Sequence, residues 1–153
     1  MHNLTLSHLG RGIAAGFVAT VVLSVLMLMK NAMGLMPDLD VIKMLSQMMG
    51  NSGPAMAWLA HFVIGSVIWG SLFAWLSPLL PGPQWLRGVV FATGAWLMMM
   101  IAIMPMAGAG AFGLSLGIIS PIATLMLHWV YGAVLGGTYG SLVDANAKVA
   151  LSR

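Results

Sequence analysis

The sequence predicts an all-α membrane protein: four transmembrane helices in a bundle, built from a duplicated helical hairpin. Composition is the first reason. Apolar residues make up 60% of the 153 positions and charged residues 6%. A soluble domain carries about 25% charged residues, so these are too few to cover a water-facing surface. The mean hydropathy of +0.98 points the same way. An internal repeat is the second. Pro54 to Gly70 returns as Pro121 to Gly137 at a constant offset of 67, with Pro, His, Val, Gly, Val and Gly coinciding at six of seventeen positions. Run length is the third: about 20 apolar residues in a helix cross the hydrocarbon core.

The whole chain, 1–153, reads as one integral membrane domain. The first span is expected at about 12–33, with Gly12 and Gly16 at small-xxx-small spacing and Lys30 near its end, where the stem can snorkel. Met1 to Gly10 lacks the layout of a cleaved signal peptide, so the first run is expected to be retained. A polar connection, 34–53, follows. Within it Met36-Pro37-Asp38-Leu39-Asp40 reads as a turn and a helix start, with Asp38 or Asp40 capping a short amphipathic helix over Val41 to Met49.

Pro54 opens the second span, about 54–77, at a first-turn position that suits proline. Pro78, Pro81 and Pro83 stiffen the next loop, and Trp75 and Trp85 flank it as interfacial anchors. The third span is expected at about 88–105. The uncharged Gly-Ala stretch 106–117 is expected to re-enter the membrane or to pack on the helices as a lid. Pro121 opens the fourth span, about 121–143, and a short polar tail ends the chain.

The repeat extends to the first and third spans, because Arg11-Gly12-Ile13 matches Arg87-Gly88-Val89 and Met36-Pro37 matches Met104-Pro105. Two spans separate the copies, so both enter from the same side. This is a parallel repeat with a pseudo-two-fold axis along the membrane normal. The second and fourth spans are then equivalent and should face each other on a diagonal.

Arg11, Arg87, Lys148 and Arg153 fall on one side of the expected topology, Lys30 and Lys43 on the other. The positive-inside rule puts the first group, and both termini, in the cytoplasm of a bacterial inner membrane. Six basic against three acidic residues therefore report orientation, and no basic stripe suggests nucleic acid. With no cysteine there is no disulfide framework or thiolate site. The acids Asp38, Asp40 and Asp144 all lie outside the spans, which argues against a carboxylate proton relay. No Ser-His-Asp set, HExxH or phosphate loop appears.

His61 and His128 each follow their span's opening proline by seven residues, which puts both roughly 10 Å below the outer surface. Reaching in from equivalent helices, they are expected to be axial ligands of one b-type haem, with Gly65 and Gly132 one turn on leaving room for the ring. Electrons would pass to or from quinone or another membrane subunit. The bland alternative is a pair of helix-to-helix hydrogen bonds, with Thr20, Ser24, Thr93 and Thr124 as available partners. Such a chain would be a structural or accessory subunit with no cofactor. A third reading uses the 15 methionines, nearly all in the outer half. Thioethers suit Cu(I), and Met33, Met36, Met104 and Met106 are the candidate ligands. Methionine is equally an adaptable apolar filler.

Through its His-containing spans and the intervening Met104-Pro105-Met106-Ala107-Gly108, the chain resembles small bacterial inner-membrane proteins of uncharacterised function. It is loosely similar to a family linked to acid resistance. The resemblance implies about four spans and an inner-membrane location, and it brings no catalytic residues. The placing of His on the second and fourth spans also resembles membrane cytochromes b, as a fold-level analogy.

Overall fold

The computed structural model describes residues 6–151, with side chains up to 145. Four long helices lie side by side: α1 (Leu6–Ala32), α3 (Pro54–Leu79), α4 (Gln84–Met106) and α5 (Ser120–Leu151). A short helix α2 (Val41–Met48) precedes α3, and a 3₁₀ segment, Ala111–Leu116, precedes α5. Helices α1, α3 and α4 are each long and apolar enough to cross a membrane. α1 packs against α3 and α5, α4 packs along α5, and α2 docks on the opening turns of α3.

The pattern of burial on α1 is inverted relative to a soluble helix. Its buried residues are Gly12, Ala15, Gly16, Ala19, Thr20, Ser24 and Met27. They recur every three or four positions, so they form one stripe. Phe17, Val18, Val21, Val25 and Leu28 face outward. Small residues inside and large apolar ones outside are what lipid as solvent selects, because backbones gain by approaching closely while Phe and Val lose nothing by facing acyl chains. These surfaces fit a lipid bilayer.

The close approaches are glycine pairs. A Cβ on Gly12 would meet the Gly70 carbonyl, and one on Gly70 would meet the Gly12 carbonyl, so α1 and α3 cross there. Gly88 and Gly132 stand in the same reciprocal relation between α4 and α5. Rings then fill the space between the pairs. Phe73 of α3 lies 5.4 Å from Phe91 of α4 and 5.5 Å from Tyr139 of α5, with Trp69 on the other side of Phe91 at 5.7 Å.

The helices outrun the spans expected from charge. α1 starts at Leu6 rather than near residue 12, and α4 at Gln84 rather than near 88, so Arg11 and Arg87 lie inside helices. A helix continues past the hydrocarbon into the headgroup layer, where an arginine is at home. At the start of α4, Arg87 donates from Nε to the Gly82 carbonyl at 2.8 Å. Lys30 also departs from expectation. Its ammonium turns onto the carbonyls of Leu35, Met36 and Leu39 at 3.1, 3.0 and 2.8 Å, which gathers the 34–40 loop instead of snorkelling away. Arg153 and the side chain of Lys148, used in the orientation argument, lie outside what is described.

α2 forms as its sequence asks. Asp40 is the N-cap, accepting from the Lys43 amide at 3.0 Å. The Gly-Ala stretch packs as a lid. Ala109 joins Leu39, Met100 and Met104 in a buried cluster, with Phe112 packed against it. Phe112 has a left-handed backbone (φ 57°) and stacks edge-on against Trp96 at 6.0 Å.

The winding of two helices has no sequence signal. Val63–Trp69 of α3 and Met99–Ile103 of α4 are wound as π-helix. A π turn inserts a residue and re-aims the side chains that follow, and such segments favour functional sites.

Candidate functional site

Above the aromatic layer the long helices part around a cavity of about 320 Å³. Its floor holds Thr20 of α1, Gly65 and Trp69 of α3, and Tyr131 of α5. Leu39, Asp40, Val41, Leu45 and Met48 from the polar connection and α2 roof it, and Lys30 and Asn31 stand at the mouth. Met98, Met99 and Ile103 of α4 form one wall. His61 and His128 both line it. The structure thus brings the two repeat-equivalent histidines to one space, at equivalent positions on α3 and α5.

The two rings are held differently. Ser24 of α1 donates its one hydroxyl proton to the Thr20 carbonyl at 2.7 Å. With that proton on the carbonyl, the Ser24 oxygen accepts from His61 Nε2, 3.3 Å away, which assigns the proton to Nε2 and the lone pair to Nδ1. Trp58 and Phe62 meet the His61 ring edge-on at 5.7 and 5.9 Å and steady it. His128 does the converse. Its Nδ1 faces the Thr124 carbonyl at 2.8 Å, and a carbonyl only accepts, so the proton is on Nδ1 and the lone pair on Nε2. Two of the four expected hydroxyl residues are thus involved: Ser24 through its side chain and Thr124 through its backbone.

The lining hydroxyls are already committed. Thr20 donates to the Gly16 carbonyl at 2.7 Å, Thr124 to the Ser120 carbonyl at 2.8 Å, and Tyr131 to the Gly65 carbonyl at 2.6 Å. Thr124 also accepts from the Trp96 indole at 3.1 Å. Both imidazoles line the cavity, and most of the residues around them are apolar.

Gly65 and Gly132 do not give the room expected of them. A Cβ on Gly65 would strike the Thr20 side chain, and one on Gly132 would meet Ala92 Cβ at 2.6 Å besides the Gly88 carbonyl. Neighbouring helices occupy the smooth faces that were expected to accommodate a porphyrin. The physical reason is the one that also shapes α1: a glycine in lipid is most useful where backbones touch.

The methionine candidates separate. Met104 is 1% exposed and sits with Met100 in the buried cluster beneath the lid, against which Met36, Met44 and Met99 also pack. Met33 and Met106 are 68% and 72% exposed. Met36 and Met104 therefore come together, while Met33 and Met106 stay apart from them. Sequence spacing missed Met44 and Met99, which reach the cluster from α2 and the π turn of α4. Among the described residues no three His, Cys, Asp or Glu side chains gather as a metal site.

No curated protein and no solved structure matches the chain. The family that does match is one of unknown function, in keeping with the resemblance to uncharacterised proteins, and its description names no link to acid resistance. The model of DUF6789, a family of unknown function, matches residues 6–149, and the chain belongs to that family.

Proposed function

We propose that this is a four-span membrane protein that binds a small, lipid-soluble molecule in the outer half of the bilayer, with His61 and His128 as its polar contacts. α5 is the fourth span. Its 32 residues reach about 48 Å, longer than the roughly 30 Å hydrocarbon core. Arg11 and Arg87 mark the cytoplasmic end and Lys30 and Lys43 the outer end, in a bacterial inner membrane. The repeat of Pro54–Gly70 as Pro121–Gly137, with a histidine at the same place in each, supports descent from a duplicated hairpin.

One observation carries the reading: two repeat-equivalent imidazoles line one apolar cavity. At about 320 Å³ it has the size of a small ligand pocket, and a mostly apolar wall with a few convergent polar atoms is what such pockets share. The test is solvent extraction and mass spectrometry of protein purified in mild detergent. Wild type should carry a small apolar compound that is absent from the cavity-filling variant Ile64→Trp. Identical extracts containing only bilayer lipid and detergent would reject the reading.

A second reading keeps the same histidines as axial ligands of a b-type haem. The Nδ1–H donation of His128 to a carbonyl favours it, because metal-bound imidazoles regularly hold their other nitrogen in this way. It requires the helices around Gly65 and Gly132 to move apart to admit the macrocycle. The reduced-minus-oxidised visible spectrum decides it, since a bis-imidazole haem gives a sharpened Soret band and split visible bands on reduction.

A further inference from the structure

Resting on the small-ligand reading of this cavity, the geometry points to a hydroquinone, an aromatic ring bearing two hydroxyl groups, as the class of ligand. We infer it from the hydrogen-bonding inventory around the two histidines. Each neutral ring has one N–H, and each N–H already has an acceptor: Ser24 Oγ for His61 and the Thr124 carbonyl for His128. What each ring still offers is a lone pair, on Nδ1 of His61 and on Nε2 of His128.

The two imidazoles therefore contribute acceptors from two helices, and the hydroxyls beside them contribute no free donor, the Asn31 amide standing apart at the mouth. The hydroxyl protons of Thr20, Thr124 and Tyr131 all go to backbone carbonyls. The ammonium of Lys30 is held by three loop carbonyls at the mouth. Trp69 lies two turns further along α3, with its ring against Phe91. Asp40, the one acid in the lining described, is in the roof and accepts from the Lys43 amide, and no acidic residue lies in a span to compete for a ligand proton.

A ligand matches this space when it presents a donor at each end of an apolar body. A dihydroxylated ring does so. The corresponding quinone turns a carbonyl oxygen toward each imidazole lone pair, leaving both acceptors unpaired and opposed. A site built for a hydroxyl strongly rejects the analogue that lacks one, because the unpaired buried groups are costly. A plain hydrocarbon fills the volume and leaves both lone pairs unmet. The cavity should therefore favour the reduced ring over the oxidised one, and both differences should disappear with the imidazoles.

The experiment is calorimetric titration of the full chain in mild detergent under nitrogen, with 1,4-naphthohydroquinone, 1,4-naphthoquinone and naphthalene as probes. The hydroquinone should bind about tenfold or more tightly than either of the others. His61→Leu and His128→Leu should each weaken the hydroquinone several-fold and leave naphthalene unchanged. Equal affinity for all three probes in the wild type overturns the donor–acceptor match and leaves the cavity reading intact. Should no probe bind, both fall. The wild-type ranking decides the question by itself if a histidine variant fails to fold.

Discussion

Tyr131 of α5 gives its hydroxyl proton to the backbone carbonyl of Gly65 on α3 at 2.6 Å, across the floor of the cavity. Gly65 lies in the π-helical part of α3, one turn beyond His61. The bond links the two histidine-bearing helices just beneath the imidazoles. Tyr131→Phe removes the donor and keeps the ring. Intramembrane side-chain hydrogen bonds average about 0.6 kcal/mol with a maximum near 1.7, so a loss within that range is expected. Reversible unfolding in mixed micelles would measure it. An unchanged unfolding free energy would show that the link adds nothing to stability.

The glycine pairs make a sharper prediction because they come with an internal control. A Cβ at Gly88 would meet the Gly132 carbonyl and come within 2.9 Å of the Gly136 amide nitrogen. Backbone cannot move aside as a side chain does. Overpacking costs typically 1–3 kcal/mol, and Gly88→Val should reach at least that. Gly94 lies further along the same helix, and a Cβ added there would have nothing within 4 Å. Gly94→Ala should be neutral or stabilising by up to about 1 kcal/mol, from helix propensity alone. Monodisperse yield on size exclusion and unfolding midpoints would compare the two. Equal tolerance of both substitutions would argue against the tight α4–α5 crossing.

The roof of the cavity depends on Lys30. Three loop carbonyls converge on its ammonium, including that of Leu39, whose side chain is buried beneath the lid. Hydrogen bonds to a charged group contribute about 1.5–3 kcal/mol each when well made, though these lie near the surface and are partly solvated. Lys30→Met keeps the stem and removes the donors. Amides of residues 34–40 should then exchange with deuterium several-fold faster, while the Gly12–Gly70 crossing is unaffected. Uniform exchange across both regions would mean that the lysine supports the whole fold rather than the roof.

The parts of this arrangement legible in the sequence are those carried by local chemistry or by composition. Asp40 as a cap, Pro54 in a first turn and the apolar runs all depend on residues close in sequence; the first two lie where expected, and three of the runs lie in helices long enough to cross a membrane that extend beyond the expected bounds. The repeat singles out His61 and His128, and Ser24 is a helix-to-helix partner of the kind expected for His61, whereas His128 bonds the Thr124 carbonyl of its own helix. The role of Gly65 is not legible, because a bare helical face looks the same whether a ligand or Thr20 lies against it. The π turns leave no trace, since nothing in Val63–Trp69 distinguishes a π wind from an α wind until neighbouring helices fix it. Spacing along one helix also misleads about the methionines, because Met44 and Met99 join the group through contacts between segments distant in sequence.

That grouping can be checked by oxidation. Met33 and Met106 are exposed, while Met100 and Met104 are 0% and 1% exposed beneath the lid. Thioether oxidation by peroxide follows access to the sulfur. A short treatment of the protein in detergent, read by peptide mass spectrometry, should convert Met33 and Met106 first and leave Met100 and Met104 largely unmodified. The Cu(I) reading sharpens the experiment. Metal bound by the clustered sulfurs Met36, Met44, Met99, Met100 and Met104 would slow oxidation of the partly exposed Met36 and Met44 on addition of Cu(I) under anaerobic loading, with the copper removed from solution before peroxide is added. Oxidation of these two that is indifferent to prior copper would leave the cluster as apolar packing, which is the role that the flexible, unbranched thioether fills by default.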